Sequence, residues 1–429
     1  MSLLHATSRW LRSPVVAWAL YDWANSAFAL VVLTTFFPLF FKTHWNAGVP
    51  AELSTFRLGL TNSLTIALVV VSAPLLGALA DTGSGKKPLL TLFLLIGLIG
   101  TLGLWWFDSG PWWVAALLFG LAYLGFATSN VFYDALLIDV SPPDRLEWNS
   151  ALGFSLGYIG SSLLFMFDLL LIQDPQRFGL DSQSEAIRFG FLSVALWWGL
   201  FSLPLLWRVH EHPLPARAAG PRIRQSLQAL RATVRLLFRE RTIGLFLLAY
   251  WLYIDGVDTV IAMAVDYGLA IGLEASDLLQ AILLTQLVGF PAALLFGWLA
   301  TRSGIRPALY IGLAVYMLVT LGGAWLNSAW QFYLLAVTIG LVQGGVQSLS
   351  RAYFARVIPA ERSGELFGFY NMIGKFAAVL GPLLVGLTSW LSGSNRLGLL
   401  SLLLLFGSGL WLLTRLPVLP PPSGTLSND

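Results

Sequence analysis

The chain contains no cysteine, so disulfide bridges and thiolate metal sites are excluded, although this absence alone does not assign a compartment. Charge is scarce as well: Asp, Glu, Lys and Arg make up 11% of the 429 residues, against roughly 25% in soluble proteins. The four histidines (His5, His44, His210 and His212) fall outside every long apolar run, which rules against a histidine metal site at membrane depth. No Gly-x4-Gly-Lys-Ser/Thr loop is present, and Gly85-Lys86 lacks both the preceding strand and the Ser/Thr that a nucleotide loop needs, so no ATP motor is expected. With no catalytic constellation, the chain reads as a non-enzyme with no cofactor and no metal. Arg9 and Arg12 precede the first apolar run, but no short apolar core with a small-residue cleavage site follows them. The first span is therefore expected to be retained.

What the chain has in abundance is apolar surface, with 57% hydrophobic residues. An all-α integral membrane protein follows, because runs of ~20–25 apolar residues are long enough to cross a bilayer. The runs predict spans at 14–41, 57–80, 88–107, 112–138, 149–173 and 189–207, then 242–268, 277–300, 308–326, 330–354, 364–391 and 397–415. The segment between the two sets, 208–241, carries Arg208, Arg217, Arg222, Arg224, Arg231, Arg235, Arg239 and Arg241 behind Pro213, Pro215 and Pro221. Its Leu227, Leu230, Val234 and Leu237 share one helical face. An amphipathic linker helix along the inner membrane surface is expected, or a plain topology determinant. The organisation is thus 1–207, linker 208–241, and 242–429. Lys and Arg concentrate on the side of the termini and linker, which predicts both termini in the cytoplasm. The net charge of +3 lies beside apolar spans and signals lipid, not nucleic acid.

The two sets repeat each other. Gly77-Ala-Leu-Ala-Asp81-Thr-Gly-Ser-Gly85-Lys86-Lys87-Pro88 follows span two, and Gly297-Trp-Leu-Ala-Thr301-Arg302-Ser-Gly304-Ile-Arg306-Pro307 follows span eight. After span four comes Asp134-x4-Asp139-x5-Arg145, and after span ten Arg351-x4-Arg356-x5-Arg362. Asp22-Trp-Ala-Asn25 in span one has a counterpart in Asp255-Gly-Val-Asp258 of span seven. Repeats in register point to two similar membrane halves.

Charges at membrane depth cost roughly 2.5–3.5 kcal/mol each on insertion scales, so each marks a candidate site. Asp22 lies ~12 Å into span one with Asn25 on the same face. The pair suits a substrate ammonium or a proton, or alternatively a brace near the gate. Asp255 and Asp258 are i, i+3 in span seven and resist joint ionisation in low dielectric, which suits proton coupling. Lys375, with Asn371 one turn before it, is the only cation expected deep in a span. It either holds a substrate carboxylate or pairs with Asp255 or Asp258. Gln343 and Gln347 in span ten, flanked by Gly340, Gly344 and Gly345, suit a polar solute or helix–helix glue. Asp134, with Tyr133 and Asn130, lies toward the inner end of span four. Asp168 is expected at the water-accessible outer rim. Trp105, Trp106, Trp112, Trp113, Trp197 and Trp198 read as interfacial or lipid-facing, and Trp23 as a cavity residue.

These motifs resemble the major facilitator superfamily over nearly the whole chain. Gly77, Asp81, Gly85, Lys86 and Lys87 match its loop motif, while Thr301 departs from it in the second copy. Tyr21-Asp22-Trp23-Ala24-Asn25-Ser26-Ala27-Phe28 and Gln343-Gly-Gly-Val-Gln347-Ser348-Leu-Ser350-Arg351 are similar to signatures of the vacuole-effluxer-like branch, which includes an autophagy-linked vacuolar amino-acid effluxer. The resemblance implies twelve helices in two pseudo-symmetric six-helix bundles that rock about a central cavity lined by spans one, four, seven and ten. It implies gate roles for Gly77, Asp81, Gly85, Lys86, Lys87, Arg145, Arg302, Arg306, Arg351, Arg356 and Arg362. The expected function is proton-coupled transport of a small polar or zwitterionic solute such as an amino acid, with export favoured, by a monomer in a bacterial inner membrane. Export of drugs or other hydrophobic compounds is the second reading, and a non-transporting scaffold or sensor the third.

Overall fold

The computed structural model describes residues 13–212, 222–270, 274–326 and 328–417. Among the described residues, twelve helices are long and apolar enough to cross a membrane: Pro14–Trp45, Ala51–Ser84, Lys86–Trp106, Trp112–Val140, Pro143–Gln173, Gln183–Arg208, Arg241–Ala264, Asp277–Ser303, Ile305–Gly323, Ala329–Val357, Ala360–Ser392 and Asn395–Thr414. No strand occurs among the described residues. This is the expected outcome for apolar runs in lipid, where only a helix satisfies its own backbone groups within one segment. The lipid-facing perimeter is apolar: Leu68, Val71, Trp106, Leu318 and Trp390 are all exposed.

The bundles meet along two seams related by the repeat, spans two and eleven on one side and spans five and eight on the other. Both seams need glycine. A Cβ on Gly77 would strike the backbone carbonyl of Gly364, and one on Gly297 would lie 2.6 Å from the Ala151 Cβ. The two loop cassettes also end alike, with Gly85 at φ 81° and Gly304 at φ 90° immediately before spans three and nine. A side chain is strained in that region, so the glycine is required by the turn itself.

Span one is not a uniform helix; it carries π-helical stretches at Phe28–Phe36 and Phe41–Trp45. The linker contains a helix, Arg222–Arg239, that packs against span two and touches spans seven and eleven. The linker residues Pro213, Pro215, Arg217 and Pro221 lie outside the described residues, as do Arg9 and Arg12. Two aromatic expectations change. Trp198 is fully buried against Phe28 and Phe126, with ring centroids at 5.4 and 6.2 Å, because span six packs inward at this point. Trp23 stacks on Trp197 at 5.6 Å between spans one and six and does not line the cavity.

Candidate functional site

On the linker side of the bundle centre, one guanidinium joins the two halves. Arg351 of span ten donates through Nη1 to Asp134 Oδ1 of span four at 3.0 Å, and its Nη2 lies 3.4 Å from Asp22 Oδ2 of span one. Its remaining donors reach span five: Nε donates to Ser150 Oγ at 2.9 Å and Nη2 to the Ser150 carbonyl at 3.0 Å. Each carboxylate has a further donor, Tyr133 Oη to Asp22 at 2.8 Å and Asn371 Nδ2 to Asp134 at 3.0 Å. Three rings enclose the guanidinium, with centroids 4.9 Å (Trp18), 5.3 Å (Tyr133) and 4.4 Å (Phe154) away. Arg351, Asp22 and Asp134 are all buried. A buried ion pair is affordable only when its hydrogen bonds are this complete, and removing one partner costs ~3–5 kcal/mol.

A second layer lies closer to the linker. Asp81 accepts from the backbone N–H groups of Gly364 and Glu365, at 3.1 and 2.8 Å. These are the free donors at the start of span eleven, where the helix dipole also favours an anion. Arg356 pairs with Glu147 at the start of span five and donates to the Pro143 carbonyl at 2.9 Å. Arg362 pairs with Glu365 at 3.3 Å and donates to Thr233 of the linker helix.

The other cassette cations do not bridge the bundles. Lys86 Nζ pairs with Asp139 at 2.6 Å, and the backbone N–H groups of Lys86 and Lys87 donate to the Glu211 carboxylate at 2.6 and 2.7 Å. Lys87 Nζ donates to the Val209 carbonyl at 2.6 Å. Both lysines thus pin their loop to the first half and to the start of the linker. Arg145 is exposed, 4.0 Å from its neighbour Asp144. Arg302 lies over Trp298 at 4.6 Å, and Arg306 holds Tyr310 Oη at 2.8 Å and the Thr414 carbonyl at 3.1 Å, all within the second half.

Beyond the central cluster, on the side away from the linker, lies a cavity of about 680 Å³. It runs from Ser26, Phe154 and Gln347 at its floor toward Phe332 and Asn395 at the far ends of their helices. Gln343 and Gln347 line it; Asp22, Asn25, Asp134, Asp255, Asp258, Asn371 and Lys375 do not. The expected lining by spans one, four, seven and ten is corrected. Spans one, five and seven through twelve contribute, and span four does not. Span four instead spends its linker-side end on the ion cluster, and its Tyr123 ring faces Lys375 at 5.3 Å.

The remaining charges also move. Asp255 accepts from the N–H groups of Leu380 and Gly381 at 3.1 and 2.8 Å, just before Pro382. Pro382 brings no donor of its own and crowds the preceding turn, and the Asp255 carboxylate takes the two donors beside it. This gives Asp255 a structural occupation. Asp258 is half-buried within electrostatic reach of Lys375, but the two form no ion pair within 4 Å. Lys375 rests on Tyr123 of the other half. Asn25 donates to Asn130 at 2.5 Å inside the first half. Asp168 is fully buried and accepts from Ser193 at 2.8 Å, against the expectation of a wet rim, because span six covers it.

The family model described as "Vacuole effluxer Atg22 like" matches residues 48–140 and 147–419. The chain belongs to this family. An uncharacterized MFS-type transporter of Bacillus subtilis, YxiO, is 38% identical to this Atg22-like chain over 403 residues, 94% of each protein. Autophagy-related protein 22 of Eremothecium gossypii is 22% identical over 442 residues, covering 87% of this chain and 84% of the fungal protein. Among solved structures, the proton:xylose symporter XylE superposes with a TM-score of 0.75 at 15% identity, covering 96% of each chain. FucP in its outward conformation gives 0.70 at 14% identity over 94% of this chain and 98% of its own. At such identity these two likenesses establish the major facilitator fold and nothing finer.

Within this Atg22-like chain, sequence reasoning named Asp22, Asp134 and Arg351 separately but did not join them. The signal was available: Asp134 and Arg351 hold the same repeat position, 217 residues apart, with opposite charge. Tyr158 of span five, a cavity residue, was not singled out, because an aromatic side chain in a membrane helix ordinarily reads as packing.

Proposed function

We propose that the chain is a secondary transporter that moves a small polar solute by alternating access, with the linker side cytoplasmic and export as its direction. The observation that carries this reading is the far-side cavity that ends at the Asp22–Arg351–Asp134 cluster. Such a cluster joins the halves in one state and must come apart in the other. A scaffold has no need of a cavity. The solute is small and polar or zwitterionic, an amino acid first; export of hydrophobic compounds, which the aliphatic walls also accommodate, is the second reading. Coupling to protons rests on charge count. Two carboxylates share one guanidinium, so the cluster accommodates a proton without leaving the arginine unpaired. Asp258 and Lys375, close but unpaired, form a second candidate set. The solute and the proton are the only partners proposed besides lipid, and the transporter acts as a monomer.

The absence of cysteine makes the test clean. Ala151→Cys with Gly297→Cys places two thiols at the linker-side end of the five–eight seam, where the Cβ positions lie 2.6 Å apart and the two helices need part by only about 1 Å to reach the ~3.8 Å spacing of a disulfide. In liposomes with an imposed pH gradient, oxidation should abolish phenylalanine flux, and reduction should restore it. Unchanged flux in the fully cross-linked protein would sink alternating access at this seam. Flux indifferent to the gradient would sink proton coupling.

A further inference from the structure

The linker helix, Arg222–Arg239, has one face packed and one left open. Thr233 is fully buried and accepts from Arg362 of span eleven, and Leu236 and Leu237 pack on the hydrophobic core. On the opposite face Arg231, Arg235 and Arg239 are exposed at intervals of four residues, so they form one row with ~6 Å of rise between neighbours. Val234, at the edge of that row, is exposed as well. From 222 to 241 the sequence holds six arginines and a single carboxylate, Glu240. Among the described residues, the side chains of Arg231, Arg235, Arg239 and Arg241 have no hydrogen-bond or ion-pair partner.

The helix also lies at the level of a bilayer surface. Span seven begins at Arg241, directly after it. A Cβ on Gly244 would be 2.3 Å from the Leu237 carbonyl oxygen, whereas residues seven apart in one straight helix are separated by ~10 Å of rise. The chain therefore bends sharply near Glu240. The linker helix leaves the axis of span seven and lies against span two, the Ala80–Ser84 loop and the start of span eleven. We propose that the row of Arg231, Arg235 and Arg239 is a binding site for anionic phospholipid headgroups of the linker-side leaflet. A guanidinium presents two parallel N–H donors to a phosphate, and an exposed aliphatic edge beside the cations fits the boundary between headgroups and acyl chains. Each cation near an anionic lipid surface contributes about fivefold in affinity. The site is separate from the cavity and does not depend on what the cavity carries.

Titration of the purified full chain in neutral detergent with a fluorescent phosphatidylglycerol tests this, with the matching phosphatidylcholine as comparison. Phosphatidylglycerol should bind about 100-fold more tightly at low salt, and the preference should shrink as ionic strength rises. The triple change Arg231→Gln, Arg235→Gln, Arg239→Gln should remove most of the preference, and Arg231→Lys, Arg235→Lys, Arg239→Lys should keep most of it. All three side chains are exposed, so the unfolding temperature without lipid should not move. Arg177→Gln with Arg396→Gln, exposed at the far side of the bundle, should leave the preference as it was. Equal binding of the two lipids, an unaltered preference in the glutamine variant, or an equal loss in the lysine variant or the far-side pair overturns the site. The arginines would then be topology determinants alone. Soluble glycerol phosphate competing as well as the lipid overturns it too, because the ligand would be a free anion.

Discussion

The two loop cassettes share a backbone and differ in chemistry. Both follow a span whose glycine touches the opposite half, and both close on a glycine with positive φ. In the first, Asp81 crosses the seam and accepts from the start of span eleven. In the second, Thr301 donates back to the Trp298 carbonyl of its own helix. The repeat therefore fixes where the halves touch, and substitutions within it decide how firmly. The same lesson holds at the centre. Asp134 and Arg351 occupy one repeat position, 217 residues apart, and meet because their charges are opposite. Like charges there would repel; two halves with identical residues could not make this contact.

The largest effect is expected at that central pair. Arg351→Glu would place three carboxylates together away from water, where breaking a buried pair alone costs ~3–5 kcal/mol. Transport should fall by more than about 100-fold, with the linker side held open to thiol labelling from single introduced cysteines. The triple change Arg351→Met, Asp22→Asn, Asp134→Asn should restore a closed linker side, since no unpaired ion remains. Failure of the triple variant to close would mean that the arginine acts through something other than its two acids.

Next in size is the seam glycine. Gly77→Ala would press a Cβ on the Gly364 carbonyl, which is backbone and moves little, whereas Gly297→Ala meets only the Ala151 methyl. Overpacking of this kind costs ~1–3 kcal/mol. Gly77→Ala should shift the population toward the linker-side-open state by about tenfold, read as distance distributions between spin labels on the two halves. Gly297→Ala should shift it less. The reverse ranking would break the comparison between the seams.

Much of this architecture was legible in the chain. Twelve apolar runs and the repeated registers carried the fold, because in lipid each span must satisfy its backbone alone. The cluster was half legible: Asp22 and Asp134 stood out as acids within their spans and Arg351 only as a repeat-position cation with a gate role, and which charges meet depends on how the two halves are apposed. Other contacts left no pattern. Lys375 rests on an aromatic ring, Tyr123, and not on an acid. Asp255 serves two N–H groups just before Pro382, more than 120 residues away in the chain.

The smaller effects belong to the cassette residues, and they sharpen the comparison most directly. Asp81→Ala removes a carboxylate from two N–H groups at a helix start, a contribution of ~1–2 kcal/mol. That should move the two-state ratio toward the linker-side-open form by about 5–30-fold, because each 1.4 kcal/mol is a factor of ten. Thr301→Ala removes only a bond within one helix, at the same repeat position, and should move the ratio by about twofold or less. The two variants, labelled with identical spin pairs, make one experiment. Equal shifts would mean that the seams are held by their glycines alone and that the Asp81 contact contributes nothing. A shift in Asp81→Ala alone would assign the asymmetry of the gate to a single carboxylate.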